Sequence, residues 1–196
     1  MHRAILLLCA GNSSRLGRAK QLLEWNRKSI LEHIIEQLQH FQIPLFAVTG
    51  GYQKEISPLL QKYNVKEIFC EDWARGMGES IRCGIRSILM ETPETEKIMI
   101  ALSDMPLIPQ AHFDGLWERA LHSKIVISQF QEVKGVPAVF DRAFFTDLLK
   151  LSGDQGAKPV LQKHIKNVSI LASEQPFFDV DTEEDYQKLL HSKLEI

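Results

Sequence analysis

The sequence predicts an α/β protein, a three-layer α/β/α sandwich built on a mostly parallel sheet. Two observations support this class. Short runs rich in Val, Ile and Leu alternate along the chain with segments in which apolar residues recur at helical spacing. Most of these runs are continuously apolar, which is typical of parallel strands that helices cover on both faces. The 196 residues are expected to form one domain, spanning 1–196, with a sizeable core.

Several apolar runs are predicted as strands. In chain order they are Ala4–Cys9, Leu45–Thr49, Val65–Cys70, Ile98–Ser103, Ile125–Phe130, Pro137–Phe140 and Val168–Ala172. The stretch from about 129 to 140 contains Gly135 and Pro137 and interrupts the alternation of strands and helices. It is interpreted as a hairpin, or as a strand inserted near the edge of the sheet.

Helices are predicted between the strands. Ser29 and Glu32 have the spacing of a capping box at the start of one helix. The other helices are defined by apolar residues at helical spacing: Ile81, Ile85 and Ile88 after Gly78, Leu116 and Leu121 after Pro109, and Tyr186, Leu189 and Leu190 after Thr182.

The overall composition narrows the class of function. Hydrophobic residues make up 44% of the chain and charged residues 24%, with a net charge of −2, so no global charge attracts nucleic acid or an anionic membrane. The sequence shows neither an export signal nor a run of about 20 apolar residues, and we expect a cytoplasmic protein. Its three cysteines contain no CxxC pair. The scattered histidines lack metal-binding spacing and are expected at the surface or on helix faces: His33, His40, His112, His122, His164 and His191.

A loop rich in small, polar and basic residues follows the first predicted strand. Ligands of open α/β sheets bind at the carboxyl ends of strands, where this loop lies. Gly11 lets backbone N–H groups approach a ligand, Ser13 and Ser14 add hydroxyl groups, and Arg15 and Lys20 add positive charge. The GxxxxGK[ST] and GxGxxG patterns are both absent. The loop therefore predicts a polyphosphate site of another type, with an ordinary exposed basic loop as the alternative.

Two acidic segments are predicted at the same edge of the sheet. Asp104 directly follows a buried strand. In the run 177–182, which is interpreted as a strand, Asp179 and Asp181 share one side and Val180 faces the other. Because Mg²⁺ takes one or two carboxylates and completes its shell with phosphate and water, Asp104 and one of these acids predict a metal site. The alternatives are that Asp104 caps the following turn and that Asp181 or Thr182 caps the last helix.

These segments resemble, in order and over nearly the whole chain, those of the molybdenum cofactor cytidylyltransferase group. That group belongs to the nucleotidyltransferases of GT-A-type fold and is related to the molybdenum cofactor guanylyltransferases. The segment 8–20 is similar to the signature LxAGxSxRxGxxK. Other similar segments are 73–81 (to W-x-x-G-M-x-x-S), 103–106 (to G-D-M-P), 135–140 (to G-H-P-V-x-F), 153–158 (to G-D-x-G-A-R) and 179–185 (to D-I-D-T-P-E-D).

The resemblance implies an enzyme that transfers a nucleoside monophosphate from an NTP to the terminal phosphate of a molybdopterin-type cofactor and releases pyrophosphate. It implies Mg²⁺, with Mn²⁺ as an alternative, held by Asp104 and Asp181, and a molybdoenzyme or its chaperone as protein partner. Catalytic roles fall to Arg15, Lys20 and Asp104. Nucleotide-binding roles fall to Leu8, Ala10, Gly11, Ser13, Arg15, Lys20, Gly76 and Ser80. Acceptor-binding roles fall to Gly135, Pro137, Asp154 and Lys158, within a part of the chain from about 107 to 165.

Departures from the family pattern bear on both substrates. Val136 stands where the family usually has His, so an imidazole contact to the acceptor is missing, and Lys158 replaces an Arg. Ala10 stands where related guanylyltransferases usually have Gly, which favours CTP over GTP. Two alternatives stay open: a nucleotidyltransferase acting on a sugar phosphate or methylerythritol phosphate, and a non-catalytic carrier of the molybdenum cofactor.

Overall fold

The computed structural model describes residues 2–173 and 179–192. The strands are β1 (Arg3–Cys9), β2 (Glu24–Trp25), β3 (Lys28–Ser29), β4 (Leu45–Thr49), β5 (Lys66–Phe69), β6 (Lys97–Leu102), β7 (Ile125–Phe130), β8 (Val133–Asp141) and β9 (Val168–Ser173). The α-helices are α1 (Ile30–Gln39), α2 (Gln53–Lys62), α3 (Met77–Glu91), α4 (Gln110–Arg119), α5 (Phe145–Leu148), α6 (Lys158–Lys163) and α7 (Glu183–His191).

One large sheet organises the chain. Its strand order is β5-β4-β1-β6-β8-β7-β9, and β2 and β3 form a separate two-stranded ribbon. The β1–β4, β1–β6, β4–β5 and β7–β9 pairs are parallel, whereas β8 is antiparallel to both of its neighbours. The seven strands predicted from apolar runs all form. The loop after β1, the loop after β6 and the turn after β7 therefore lie at the same edge of the sheet.

The position of β8 corrects one expectation. β7 and β8 form the predicted hairpin, but β8 lies inside the sheet between β6 and β7 instead of near its edge. The physical reason is a long-range pairing. β9 joins β7 in parallel register from Ile125↔Val168 onward and thereby covers the side of β7 that would otherwise be an edge.

The central strand β1 shows why the fold has three layers. Six of its seven residues are buried, and successive side chains point to opposite faces of the sheet. Ile5 and Leu7 pack into the core under α1, while Ala4 and Leu6 pack into the core under α3. The predicted α/β/α sandwich is confirmed, and continuous hydrophobicity in β1 reflects burial on both faces.

The helix ends follow the predicted capping chemistry. In α1 the Ser29 hydroxyl accepts the Glu32 N–H at 3.2 Å and the Glu32 carboxylate accepts the Ser29 N–H at 2.8 Å, which completes a capping box. Thr182 and Asp185 form the same arrangement at the start of α7, with distances of 3.2 and 3.0 Å. Two orphan N–H groups are thus satisfied at each of these helix starts.

Two of the apolar residues that define the predicted helices lie outside the core. Leu121 lies beyond the end of α4 and is 59% exposed. In the short helix α7, Leu189 is fully buried but its neighbour Leu190 is 45% exposed, because consecutive helical residues differ by about 100° in direction. Within the described residues, every helix is too short or too polar to cross a membrane.

We expect Gly84→Ala to destabilise the protein, because a Cβ at Gly84 would overlap the Cδ atoms of the fully buried Leu6. Overpacking of a core typically costs about 1–3 kcal/mol of unfolding free energy. Gly115→Ala on α4 is the matched control, because its Cβ meets Leu171 at 3.1 Å, a side chain that is only half-buried and can give way. Urea denaturation of both variants measures the difference. Equal unfolding free energies would contradict the close α3–β1 packing.

Candidate functional site

The loop 11–20 forms a compact turn at the carboxyl end of β1. The Ser13 carbonyl accepts the N–H groups of Leu16 at 3.0 Å and Gly17 at 2.9 Å, and the Lys20 N–H donates to the Ser13 hydroxyl at 3.3 Å. A Cβ at Gly11 would meet no atom within 4 Å, so the backbone there faces open space. The loop borders a pocket of about 230 Å³, lined by Gly11, Asn12, Ser13, Ser14, Arg15, Lys20 and Asp181.

The Lys20 ammonium lies between two carboxylates. Its Nζ is 2.5 Å from Asp104 Oδ2 and 2.5 Å from Asp181 Oδ1, and Arg15 Nη1 approaches Asp181 Oδ2 at 3.4 Å. Only 12% of the Lys20 side chain and 13% of the Asp104 side chain are exposed. Burial acts to lower the pKa of Lys20, but Asp104 and Asp181 outweigh it and raise that pKa above its ordinary value. Lys20 is therefore held in its charged form.

A buried residue brings the C-terminal acids to this site. The Val180 N–H donates to the Asp104 carbonyl at 3.0 Å, and the Val180 side chain is fully buried in the core. Asp179 and Asp181 on either side of it both line the cleft above the carboxyl edge of the sheet. The predicted alternation therefore holds, although residues 179–181 are not part of a strand. The first two residues of that predicted strand, Phe177 and Phe178, lie outside the described residues.

The helix α7 fixes this segment against the loop 11–20. Arg18 Nη2 lies 2.8 Å from Glu183 Oε2, and the Arg18 guanidinium lies 5.7 Å from the centre of the Tyr186 ring. The Tyr186 hydroxyl donates to the Glu24 carbonyl at 2.7 Å. Thr182, and not Asp181, caps the helix with its side chain, so the Asp181 carboxylate remains available to Lys20.

A larger cleft of about 570 Å³ continues from the loop along the carboxyl edge. Most of the predicted nucleotide-binding residues line it, and Ser13 and Arg15 line the smaller loop pocket instead. The predicted residues in the large cleft are Leu8, Ala10, Gly11, Lys20, Gly76 and Ser80, together with the carboxylates of Asp104 and Asp181. The structure thus brings these predicted positions together in one connected space.

Gly76 lies in the wall of this cleft, in contact with the turn 153–156. It has φ of +121°, a left-handed value that favours glycine, and a Cβ there would overlap Asp154 Oδ1 and the Gly153 carbonyl group. The start of α3 consequently packs directly on the turn 153–156. Asp154 lies at the boundary and lines both clefts.

The second cleft has a volume of about 500 Å³ and is mainly apolar. Three of the four residues predicted to bind the acceptor, Gly135, Asp154 and Lys158, line this one cleft, whereas Pro137 is buried and does not line it. Apolar lining residues include Met105, Phe130, Val133, Val136, Phe140 and Leu161. Met77, Leu102, Asp154 and Asp179 line both clefts, so the polar and apolar spaces are continuous.

Asp179 has an unusual charge environment. Although it stays accessible to solvent, the surrounding protein removes water from its carboxyl group, and Asp104 and Asp181 add negative charge nearby. Desolvation first and these like charges second raise the pKa of Asp179 to about 6. The sequence identified Asp179 only as an alternative to Asp181, because its pKa depends on a residue 75 positions away in the chain.

The acid pair has the donor chemistry of a hard-cation site. Asp104 Oδ1 is buried and, among the described residues, has no hydrogen-bond partner. Within residues 2–173 and 179–192 no group of three or more His, Cys, Asp or Glu side chains forms a metal site by itself. The Asp104 and Asp181 oxygens nevertheless lie within about 5 Å of each other, since both contact the Lys20 nitrogen. Mg²⁺ needs only one or two carboxylates when phosphates supply further ligands.

Sequence reasoning missed Gln21 as a residue that lines the larger, polar cleft. Gln21 is 1% exposed, its Nε2 donates to the Cys9 carbonyl at 3.3 Å, and within the described part of the chain its Oε1 has no partner. The only available signal was a single amide side chain directly before the apolar pair Leu22 and Leu23. Trp73, the first residue of the segment 73–81, also lines this cleft.

Comparison with known proteins identifies related domains. The family model of the MobA-like NTP transferase domain matches residues 5–168. A probable molybdenum cofactor guanylyltransferase of Methanosarcina mazei is 28% identical, over 97% of this chain and 92% of its own length. The molybdenum cofactor cytidylyltransferase of Escherichia coli is 26% identical, over 57% of this chain and 56% of its own length.

A solved protein of Mycobacterium tuberculosis has the same fold. It superposes with a TM-score of 0.87 and 25% identity, covering 98% of this chain and all of its own. A second structure of that protein, a complex with manganese, superposes with a TM-score of 0.83 and 22% identity, with the same coverage.

We expect Asp179→Asn to stabilise the metal-free protein more at pH 8 than at pH 4.5. The folded-state pKa of about 6 exceeds the unfolded value of about 3.9, so the wild-type protein loses stability as the pH rises through this interval and Asp179 ionises. An uncharged amide at position 179 does not ionise, so the variant avoids this loss of stability at high pH. Melting temperatures of both proteins in EDTA measure it, with Asp114→Asn on the exposed face of α4 as the control. A difference that is the same at both pH values would contradict the raised pKa.

Proposed function

Because the chain belongs to the family of MobA-like NTP transferase domains and is therefore a nucleotidyltransferase, we propose that it transfers CMP from CTP to the terminal phosphate of a molybdopterin-type cofactor. One observation carries the proposal. The polar cleft that holds the loop cations and both carboxylates opens directly into a mainly apolar cleft, with Asp154 and Asp179 at the junction. A nucleotide and an acceptor with an apolar body thus fit side by side, within one domain that spans 1–196.

The proposed reaction is an in-line displacement at the α-phosphorus. An oxygen of the acceptor phosphate forms a bond to this phosphorus, and the bond to the bridging oxygen of the β-phosphate breaks, so pyrophosphate leaves. A phosphate monoester has a second pKa of about 6 and needs no strong base near neutral pH. Lys20 neutralises charge on the α-phosphate, while Arg15 and the loop N–H groups bind the β- and γ-phosphates. The position of Lys20 beside the loop pocket supports this assignment.

Asp104 and Asp181 are proposed to hold the divalent metal. Their oxygens already surround a single positive charge, and the buried Oδ1 of Asp104 offers a further donor. When bound, Mg²⁺ or Mn²⁺ supplies positive charge that stabilises the phosphates as pyrophosphate leaves. The manganese complex of the Mycobacterium tuberculosis protein supports a divalent ion in this fold.

The acceptor is proposed to occupy the apolar cleft. Met105, Phe130 and Val136 can bury a flat ring system, and Lys158 at the start of α6 can bind an anionic group. Gly135 leaves room at the cleft wall, since a Cβ there would meet nothing within 4 Å. This composition supports a pterin that carries a phosphate as the acceptor. A molybdoenzyme or its chaperone is proposed as the partner that receives the product, and the cytoplasm is proposed as the compartment of the reaction.

We expect pyrophosphate release with Mg²⁺ and molybdopterin, with kcat/KM about tenfold higher for CTP than for GTP, a ratio within the range of steric pocket discrimination. Ala10, with its methyl group at the nucleotide cleft, is the basis for preferring the smaller base. Coupled pyrophosphate detection across four NTPs measures this, and reactions with EDTA or without acceptor are the controls. Preference for GTP would reverse the assignment of the base. A folded protein that releases no pyrophosphate with any NTP would contradict the proposed transfer and favour a carrier.

We expect Asp104→Asn to lower kcat by about 10²–10³-fold, as loss of one preorganised charge at a phosphoryl site does. The amide keeps the shape of the side chain and Asp181 still pairs with Lys20, so the protein should fold, with a melting temperature lowered by loss of the buried Lys20–Asp104 ion pair. Glu36→Gln is the matched control, because it makes the same chemical change in the exposed Lys28–Glu36 pair. Turnover of Asp104→Asn equal to that of Glu36→Gln would rule out the metal-binding role of Asp104.

A further inference from the structure

The pairing of β7 with β8 contains an irregularity beside the acceptor-side cleft. Ile127 pairs with Ala138, but the next residue, Ser128, pairs with Gly135. Val136 and Pro137 therefore have no partner residue on β7, and the main chain of β8 bulges at these two positions. Gly135 and Val136 line the apolar cleft, so the bulge forms part of its wall.

The Ser128 side chain replaces a hydrogen bond of the ladder at this bulge. Its hydroxyl donates to the Pro137 carbonyl at 2.6 Å, and Ser128 is fully buried. A buried carbonyl that loses its strand partner must find another donor. Ser128 is thus the donor that holds the carbonyl of Pro137, the residue directly after the cleft-lining Val136.

His112 completes the chain of hydrogen bonds from α4. Its Nε2 lies 2.8 Å from the Ser128 hydroxyl oxygen. Since the single hydroxyl hydrogen of Ser128 goes to the carbonyl, Nε2 of His112 carries a hydrogen and donates it. His112 is 7% exposed and lies on the buried face of α4, so of the two expected placements it has the helix face and not the surface. Its ring centre also lies 5.4 Å from that of Phe130, another lining residue of the cleft.

We propose that Ser128 and His112 are positioning residues that set the affinity for the acceptor by fixing the bulge 135–137 and the Phe130 ring. Neither residue lines the cleft itself, so both act through the wall. The inference rests on the proposed function, because it assigns the apolar cleft to the acceptor. An apolar wall without an imidazole at Val136 recognises a ligand mainly by shape, and its shape depends on where the bulge is held.

Ser128→Ala is expected to raise KM for molybdopterin about tenfold, corresponding to one lost buried hydrogen bond at about 1.4 kcal/mol. The KM for CTP and kcat should stay within about twofold, because the nucleotide cleft lies on the other side of Asp154. Ser57→Ala is the matched control, since it removes a hydroxyl that donates to Glu67 at 2.8 Å, and neither residue lines either cleft. Steady-state kinetics with each substrate varied in turn provides the readout.

Two substitutions of His112 distinguish a role in positioning the cleft wall from an effect on the overall stability of the protein. His112→Gln retains a side-chain N–H near the place of Nε2 and should restore most of the wild-type KM for molybdopterin. His112→Phe retains an aromatic ring against Phe130 but lacks the donor, and should show the raised KM of Ser128→Ala. A KM that follows melting temperature across these variants, and not the presence of the donor, would overturn the proposal.

Hydrogen–deuterium exchange tests whether Ser128 holds the bulge without any measurement of turnover. Ser128→Ala should speed exchange about tenfold at the amides of 133–136 and leave the loop 11–20 unchanged. If the wild-type protein releases no pyrophosphate with molybdopterin, the proposed function fails, and this exchange pattern alone decides whether Ser128 fixes the wall. Equal exchange in the wild-type protein and the variant would overturn the positioning role in either case.

Discussion

The site depends on one charge arrangement, the Lys20 ammonium between Asp104 and Asp181. Each carboxylate oxygen lies 2.5 Å from the same nitrogen, and the Lys20 and Asp104 side chains are nearly buried. Two carboxylates within about 5 Å of each other repel strongly in such surroundings unless a cation separates them. Lys20 thus makes the acidic pair compatible with folding, and the acids hold the loop 11–20 in place. The negative charge that Lys20 leaves uncompensated is offset by Arg15, which lies beside Asp181. The proposed triphosphate and metal would share these same groups.

The sheet topology explains why two different clefts meet at these charges. β7 runs parallel to β6, so its carboxyl end lies at the same edge as the loop after β1. The chain then returns antiparallel through β8, which places the start of β8 beside Asp104. After β7, a crossover to a parallel strand would have placed a helix at this edge of the sheet. The β7–β8 hairpin instead places residues 133–136 at this edge, where they line the apolar cleft. The apolar cleft is therefore a consequence of one antiparallel strand inside an otherwise parallel region.

Local sequence signals predicted the parts of the site that depend on strand ends. Asp104 and the loop 11–20 each follow a continuously apolar run, and parallel strands bring their carboxyl ends to one edge. Features that depend on distant pairings could not be predicted in this way. The place of β8 depends on β9 pairing with β7, and the burial of His112 depends on Ser128, sixteen residues later in the chain. The raised pKa of Asp179 likewise requires knowing that Asp104 lies nearby.

The absence of a histidine at position 136 changes what the wall of the apolar cleft can contribute to binding of the proposed acceptor. An imidazole would supply a directional hydrogen bond, whereas Val136 offers only apolar area, worth roughly 25 cal/mol for each Å² buried. The van der Waals attraction in such contacts decreases steeply once the two surfaces separate by even a fraction of an ångström. A wall made of Val136 and Phe130 is therefore selective only if its backbone is held firmly. The buried hydroxyl of Ser128 and the imidazole of His112 form hydrogen bonds that can hold this backbone. The polar groups that Val136 and Phe130 do not offer to a ligand are thus present in the layer of residues beneath them.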